Sequence, residues 1–330
     1  MASVLVTGGA GYVGSVCCSE LLRAGHFVTV VDDLSTGFRE AVPPGAVFFH
    51  ANIASAHGLR PLFSQSQFDA VFHFAAKALI PESVSNPGIF FQQNVADGIA
   101  FLELVRSAGI RKFVFSSSAA VYGAPGRIPI REEDTKNPSN SYGETKLMLE
   151  RALHWYASAY GWSVVAMRYF NAAGATDIAG ERHDPETHII PLLLQTAGCE
   201  REFFTIYGDD YDTPDGTCVR DYVHVLDIAQ AHIRALDLAD QPGMQSFNIG
   251  TGTGYSVRQI CDAVTAATGR TVRIRIAQRR PGDPPVLCAS PCLIQAVLGW
   301  KPEHSSLEEI ISSAWEWKQK QLGGLAFAAD

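Results

Sequence analysis

The strongest constraint on the fold is Thr7-Gly8-Gly9-Ala10-Gly11-Tyr12-Val13-Gly14, which follows the apolar run Val4-Leu5-Val6 and opens a helical pattern. Glycines permit positive φ and let backbone approach a diphosphate closely, and the following helix presents free amides and a partial positive charge. A glycine pattern alone is weak, but between a strand and a helix it reads as a dinucleotide fingerprint. The next apolar run, 28–31, ends in Asp32, 24 residues after Gly8. A carboxylate there accepts both hydroxyls of an adenine ribose and repels a 2′-phosphate, which favours NAD over NADP. A turn-forming Asp32-Asp33 pair is the competing explanation.

Short, nearly continuous apolar runs at 4–6, 27–31, 47–49, 70–74, 112–115 and 163–167 read as strands covered on both faces, with 247–250 as a seventh. Helical spacing places helices at 15–24, 94–108 and 144–160. After Asn171 the pattern changes to Pro- and Gly-punctuated loops, with strands at 203–207 and 272–276 and helices at 256–268 and 307–320. The expected fold class is α/β. A Rossmann-type doubly wound parallel sheet spans 1–170, joined by a returning segment near 222–252, and a smaller mixed α/β substrate domain spans 171–330.

Charge removes several partners. With 34 acids against 26 bases the net charge is −8, the wrong sign for nucleic acid or an anionic membrane. No apolar run approaches the roughly 18 residues of a membrane span, and Met1 leads directly towards a strand, so a cytoplasmic protein is expected. Seven cysteines without a CxxC read as reduced structural thiols. His183 and His188, five apart with no third ligand in spacing, read as structural or substrate-facing, and no metal is expected.

Reactive groups stand later in the first half. The fifth strand runs into Ser116-Ser117-Ser118, and Tyr142 and Lys146 are four residues apart on one helical face. A phenol is a poor base at neutral pH, but a neighbouring ammonium and a nicotinamide cation both favour phenolate, which can take a proton from an alcohol.

With these residues in place, the chain resembles, over nearly its whole length, the nucleotide-sugar 4-epimerases of the extended short-chain dehydrogenase/reductase family. The carriers are the glycine segment at 4–14, His-Phe-Ala-Ala at 73–76, Phe-Ser-Ser-Ser-Ala-Ala-Val-Tyr-Gly at 115–123, the 142–146 pair and Arg-Tyr-Phe-Asn at 168–171. Val-Arg-Asp-Tyr-Val-His-Val at 219–225 and Arg-Arg-Pro-Gly-Asp at 279–283 resemble the parts that hold a nucleotide sugar. The resemblance implies NAD-dependent, reversible 4-epimerisation of a UDP-hexose through a transient 4-keto sugar. It makes Tyr142 the base towards the 4-hydroxyl, Lys146 the group that lowers its pKa and clamps the nicotinamide ribose, and Ser118 a hydrogen-bond partner of the 4-oxygen.

The same resemblance assigns NAD to Gly8, Gly11, Tyr12, Val13, Gly14, Asp32, Asp33, Leu34, Ser35, Thr36, Gly37, Asn52, Ile53, Phe74, Ala75, Ala76, Lys77, Asn94, Ser116, Tyr142, Lys146 and Phe170. It assigns the UDP-sugar to Ser118, Tyr142, Asn171, His188, Ile189, Thr205, Tyr207, Arg220, Arg280 and Asp283. The arginines meet the pyrophosphate, Asp283 the uridine ribose and Tyr207 the uracil. A homodimer through helices 94–108 and 144–160 is also implied.

Relatives that dehydrate such sugars carry a carboxylate just after the serine or threonine, where this chain has Ala119 and Ala120, and elimination needs an acid and a base beyond the tyrosine. The chain departs from the family at Ala78, where bacterial epimerases often have lysine, and at Asn52, in place of aspartate. Leu287 stands where side-chain bulk bears on admission of N-acetylated sugars. Other UDP-sugars, a dehydratase or net oxidoreductase, and a non-catalytic NAD sensor are the alternatives.

Overall fold

The structure, a computed structural model, describes residues 1–238, 241–280 and 282–327. In chain order the strands are β1 (Ser3–Thr7), β2 (Phe27–Asp32), β3 (Val47–His50), β4 (Ala70–His73), β5 (Lys112–Ser118) and β6 (Ser163–Tyr169). They continue with β7 (Asn171–Ala173), β8 (Phe204–Tyr207), β9 (Val219–His224), β10 (Gly243–Ile249), β11 (Gly254–Ser256), β12 (Ile274–Ala277) and β13 (Val286–Leu287).

Seven of these form one parallel sheet in the order β10-β6-β5-β4-β1-β2-β3. Its apolar runs are continuous because both faces are covered. Val4 and Val6 enter one core with Val30, Phe72 and Val114, while Leu5 enters the opposite core with Val31, Val71 and Phe113. The strand order reverses at β1, between β2 and β4, which opens a crevice at the carboxyl ends of the strands.

The edge strand β10 returns from the second half of the chain and pairs with β6 over Gly243 to Ile249. The helix before it, Val225–Arg234, shares a core with Tyr12–Arg23. Beyond Asn171, β9 is the centre of a small sheet that receives β7, β11 and β13, and β8 pairs with β12. The helices Ile189–Ala197, Val257–Thr268 and Leu307–Phe327 accompany this part.

Periodicity missed several elements for identifiable reasons. Ile189–Ala197 holds Pro191, tolerated because it falls in the first turn, where the amide lacks a helical acceptor in any case. The helix expected to start at Asn94 is preceded by Pro87–Phe90 and a π-helical turn over Phe91–Ala96. The wider turn carries Asn94 inwards, where it is almost fully buried. All seven cysteines are free, as their spacing suggested.

Candidate active site

The glycine segment forms a tight loop at the carboxyl end of β1. Gly8 adopts φ +73°, and a Cβ there would lie 2.5 Å from the Ala75 amide nitrogen. A Cβ on Gly14 would lie 2.2 Å from the Gly8 carbonyl oxygen, so helix Tyr12–Arg23 packs on the loop at a distance only glycine allows. Gly11 is the N-cap and no side chain caps this helix, which leaves the first-turn amides of Tyr12, Val13 and Gly14 available to an anion. These features fit a dinucleotide diphosphate.

A cleft beside the loop is walled by Gly8, Gly11, Asp32, Asp33, Ser35 to Gly37, Asn52-Ile53 and Phe74 to Lys77, all expected from sequence. Asp32 both shapes the turn and lines the cleft. Its two carboxylate oxygens accept from the amides of Ala10 (3.0 Å) and Leu34 (2.9 Å), tying the glycine loop to the next turn while the residue still lines the cleft. Burial raises its pKa, against the pull of these two amides. Leu34 holds a left-handed backbone at φ 58°.

Two residues expected at the cofactor are engaged by the protein. Asn52 donates to Asp33 Oδ2 (2.8 Å) and accepts from the Ala54 amide (2.8 Å), so it organises the cleft wall. Asn94 accepts from the Lys77 amide (2.8 Å) and donates to the Lys77 carbonyl (3.0 Å) and Thr145 Oγ1 (3.0 Å). Thr145 in turn donates to the Tyr142 carbonyl at 2.8 Å. Asn94 therefore couples the loop after β4 to the helix that carries the tyrosine. Val31, Ala51, Gln93 and Asp97 also line the cleft and were missed, because no local motif marks them.

Helix Ser141–Tyr160 starts at Asn140, whose side chain accepts from the Gly143 amide (2.8 Å). Gly143 is required there, since a Cβ would lie 2.4 Å from the Ala120 carbonyl oxygen. This close approach sets Tyr142 and Lys146 against the end of β5, and both are buried. Lys146 Nζ donates to the Ser116 carbonyl (2.7 Å) and stands 5.8 Å from the centre of the Tyr142 ring. Burial lowers the Lys146 pKa to about 7, with Glu150 opposing the fall. Burial raises the Tyr142 phenol well above 10, with Ser118 pulling it down. Protein groups alone thus leave the phenol protonated, so an ammonium by itself does not ionise it.

Ser118 Oγ accepts from the Ala120 amide (3.1 Å) and caps the short turn Ala119–Val121. The two alanines fall in that turn. Ser116 Oγ shares a 2.7 Å hydrogen bond with Tyr169. Phe170 donates its amide to Ile249 (3.2 Å), and both Phe170 and Leu287 pack against Val121, Tyr122, Ile130 and Leu147.

The expected substrate residues fall into three groups. Asn171 Nδ2 donates to the Asp221 carbonyl at 2.8 Å. Arg220 and Asp283 are bound to each other at 2.7 Å, and the Arg280 guanidinium lies 4.0 Å over the Tyr207 ring. Pro281, between these residues, lies outside the described residues. Thr205 lies beside them on β8, 3.5 Å from Arg275.

His188 stands apart from these two pairs, with Nδ1 at 2.8 Å from Glu181 and 3.3 Å from Glu186 and half of its side chain exposed. Ile189 begins the helix that follows. The expectation that His183 and His188 lack further ligands fails here. Glu181 and Glu186, overlooked in the spacing argument, complete a four-residue His/Glu group.

A parallel sheet with a diphosphate-sized glycine loop at its switch point and a buried Tyr-Lys pair beside it defines a dinucleotide-dependent enzyme class. The chain belongs to the NAD dependent epimerase/dehydratase family, which it matches over residues 4–250. It is 46% identical to the UDP-glucose 4-epimerase of Lacticaseibacillus casei, over 98% of this chain and 98% of that relative. The structure of UDP-glucose 4-epimerase from Brucella ovis in complex with NAD is similar with a TM-score of 0.93 and 42% identity, covering 96% of this chain and 98% of that one. The Bifidobacterium longum enzyme in complex with NAD+ and UDP gives a TM-score of 0.92 at 33% identity, over 98% and 99% of the two chains.

Proposed function

We propose that the chain catalyses NAD-dependent, reversible 4-epimerisation of a UDP-hexose, interconverting UDP-glucose and UDP-galactose. The observation that carries the reading is the buried Tyr142 and Lys146 pair, held at the end of β5 with Ser118. The glycine loop and helix N-terminus at 8–14, with Asp32, Asp33, Ser35 to Gly37, Ile53 and Phe74 to Lys77, would hold the cofactor. When bound, NAD supplies a two-electron carrier that takes and returns hydride at the sugar carbon, and a positive charge that favours phenolate.

Tyr142 takes the proton of the sugar 4-hydroxyl while Ser118 hydrogen-bonds the 4-oxygen. Tyr142 later returns that proton to the other epimer. Lys146, with a pKa near 7, carries a charge that the Glu150 carboxylate favours and that steadies the phenolate. Arg220 and Arg280 neutralise the pyrophosphate, Asp283 receives ribose hydroxyls once Arg220 turns to phosphate, and Tyr207 stacks on the base. Asn171 and Thr205 complete the polar wall. Ala119 and Ala120 provide neither acid nor base for elimination, which separates this reading from a dehydratase.

Residues 1–170 with the returning segment form the cofactor half of the enzyme, and 171–330 the sugar-nucleotide half. Among the described residues no helix is long and apolar enough to cross a membrane, and the net charge is −8, in keeping with a cytoplasmic enzyme that binds neither lipid nor nucleic acid. Pairing of two copies through the two helices that carry Ile99 and Trp155 is supported by the exposure of both side chains.

The test is to incubate the purified protein with UDP-galactose and no added cofactor, following the anomeric proton by NMR. Conversion to a fixed ratio with UDP-glucose is expected. Tyr142→Phe is expected to lower turnover by about 10²–10⁴-fold with NAD still bound. An equally active variant would refute the assignment of the base.

A further inference from the structure

We propose that the segment from Glu181 to His188 is a binding site for one divalent transition-metal ion, with Zn2+ the best match to its donors. Glu181, His183, Glu186 and His188 each offer one donor atom, and these atoms lie within 4.8 Å of one another. His183 Nδ1 is 3.6 Å from Glu181 Oε1 and 3.7 Å from Glu186 Oε2, while His188 Nδ1 is at 2.8 and 3.3 Å from the same two residues. Two imidazoles with two carboxylates suit Zn2+ and its neighbours, whereas Mg2+ and Ca2+ prefer oxygen alone. A tetrahedral ion with bonds of about 2.0–2.2 Å spaces its ligands by roughly 3.3 Å, so the group needs to contract by about 1.5 Å at most. All four ligands come from one short loop, which makes that contraction local.

Three features of the loop favour a cation there. His183 Nδ1 is buried with no hydrogen-bond partner, although it faces both carboxylates. Glu181 and Glu186 are only 9% and 7% exposed, and two carboxylates withdrawn from water at this separation need positive charge between them. The neighbouring permanent cations are engaged elsewhere. Arg182 turns away to Glu40 (3.0 Å) and the Phe38 ring (3.6 Å), and Lys318 pairs with Glu200 (2.5 Å). The two glutamates therefore face the two imidazoles, with His188 Nδ1 at 2.8 and 3.3 Å from them. A dication between them would meet both carboxylates and the partnerless His183 Nδ1 at once.

The site also has an entrance and a neighbour. Glu181, His183 and Glu186 line a cavity of about 460 Å³ with Gly174, Leu194 and Trp317. The Tyr12 hydroxyl donates to the Gly174 carbonyl at 2.6 Å, and the Tyr12 phenol lies in the field of both glutamates. The ion would thus join the first helix after the glycine loop to the start of helix Ile189–Ala197, as a structural clamp outside the reacting groups.

The experiment uses the full chain treated with chelator and titrated with Zn2+ by calorimetry and with Co2+ by visible absorption. One Zn2+ per chain, an intense Co2+ ligand-field band and a rise in Tm with Zn2+ are expected. The paired substitutions Glu181→Gln and His183→Gln are expected to weaken binding at least 100-fold and to abolish the Zn2+ dependence of Tm. Wild-type protein whose Co2+ spectrum stays that of the aqueous ion overturns the proposal without reference to any variant. So does Zn2+ binding of equal affinity in the substituted protein.

Discussion

Arg168 and Glu150 are the most demanding electrostatic feature of the fold, because both side chains are almost fully buried, at 5% and 4% exposure. Arg168 donates through Nε and an Nη to the two Glu150 oxygens at 2.9 and 2.6 Å, and through its other Nη to the Tyr122 hydroxyl at 2.9 Å. Tyr122 passes the chain on to Asn248 on β10 (2.7 Å), so one guanidinium links β6, helix Ser141–Tyr160 and the returning strand. Arg168→Met leaves the Glu150 carboxylate with Ser117 Oγ (2.5 Å) as its remaining side-chain donor. Stranding a buried charge in this way costs about 3–5 kcal/mol.

For 330 residues at about 2.1 cal/mol/K each, the unfolding entropy is roughly 0.7 kcal/mol/K, so Tm should fall by about 4–7 °C. Adding Glu150→Leu removes the stranded charge and should recover most of the loss, leaving a deficit of about 1–2 kcal/mol from the Ser117 hydroxyl, which loses its acceptor, and the Tyr122 oxygen, which loses its donor but still donates to Asn248. Calorimetric melts of the wild type, the single variants and the double variant measure the coupling. A single variant that melts within about 1 °C of wild type, or a double variant whose loss equals the sum of the singles, refutes the reasoning. The pair also separates stability from catalysis. Glu150 supports the charge on Lys146, so the double variant, though stable, should turn over more slowly at pH 7.

Acid should destabilise the protein through its buried histidines. His73, His224 and His232 are held down to about 3, 4 and 4 by burial, below the ordinary 6.5. Between those values and pH 6.5 the unfolded chain binds protons that the folded chain refuses, so stability falls as pH falls. The loss is about 2 kcal/mol per histidine by pH 5, or roughly 6 in all. Urea unfolding at pH 7 and pH 5 measures it, and equal midpoints contradict the assignment. Gly14→Ala should drive its Cβ into the Gly8 carbonyl, backbone that cannot yield, and strip retained dinucleotide from the purified protein. Absorbance of the supernatant after acid precipitation reads this out, and an unchanged stoichiometry counts against the fit.

Local chemistry was legible in the sequence wherever neighbours in the chain decide the outcome. The positive φ of Gly8, the continuous apolar runs of the strands, and the shared helical face of Tyr142 and Lys146 all depend on residues within a few positions. Contacts between distant segments depend on strand order and register, and only the tertiary structure decided those. It put β10 beside β6, where residues from beyond 240 complete the sheet. It tied Asn94 to Thr145, 51 residues away, so that a residue expected at the cofactor also braces the tyrosine helix. It paired Arg220 with Asp283, 63 residues away, so two residues assigned to separate parts of a ligand hold each other. Glu181, His183, Glu186 and His188 are close in sequence, yet their convergence needed the loop's path. A periodic pattern specifies which face a side chain takes within one element, whereas an irregular loop has no period, and its shape is set by what it packs against.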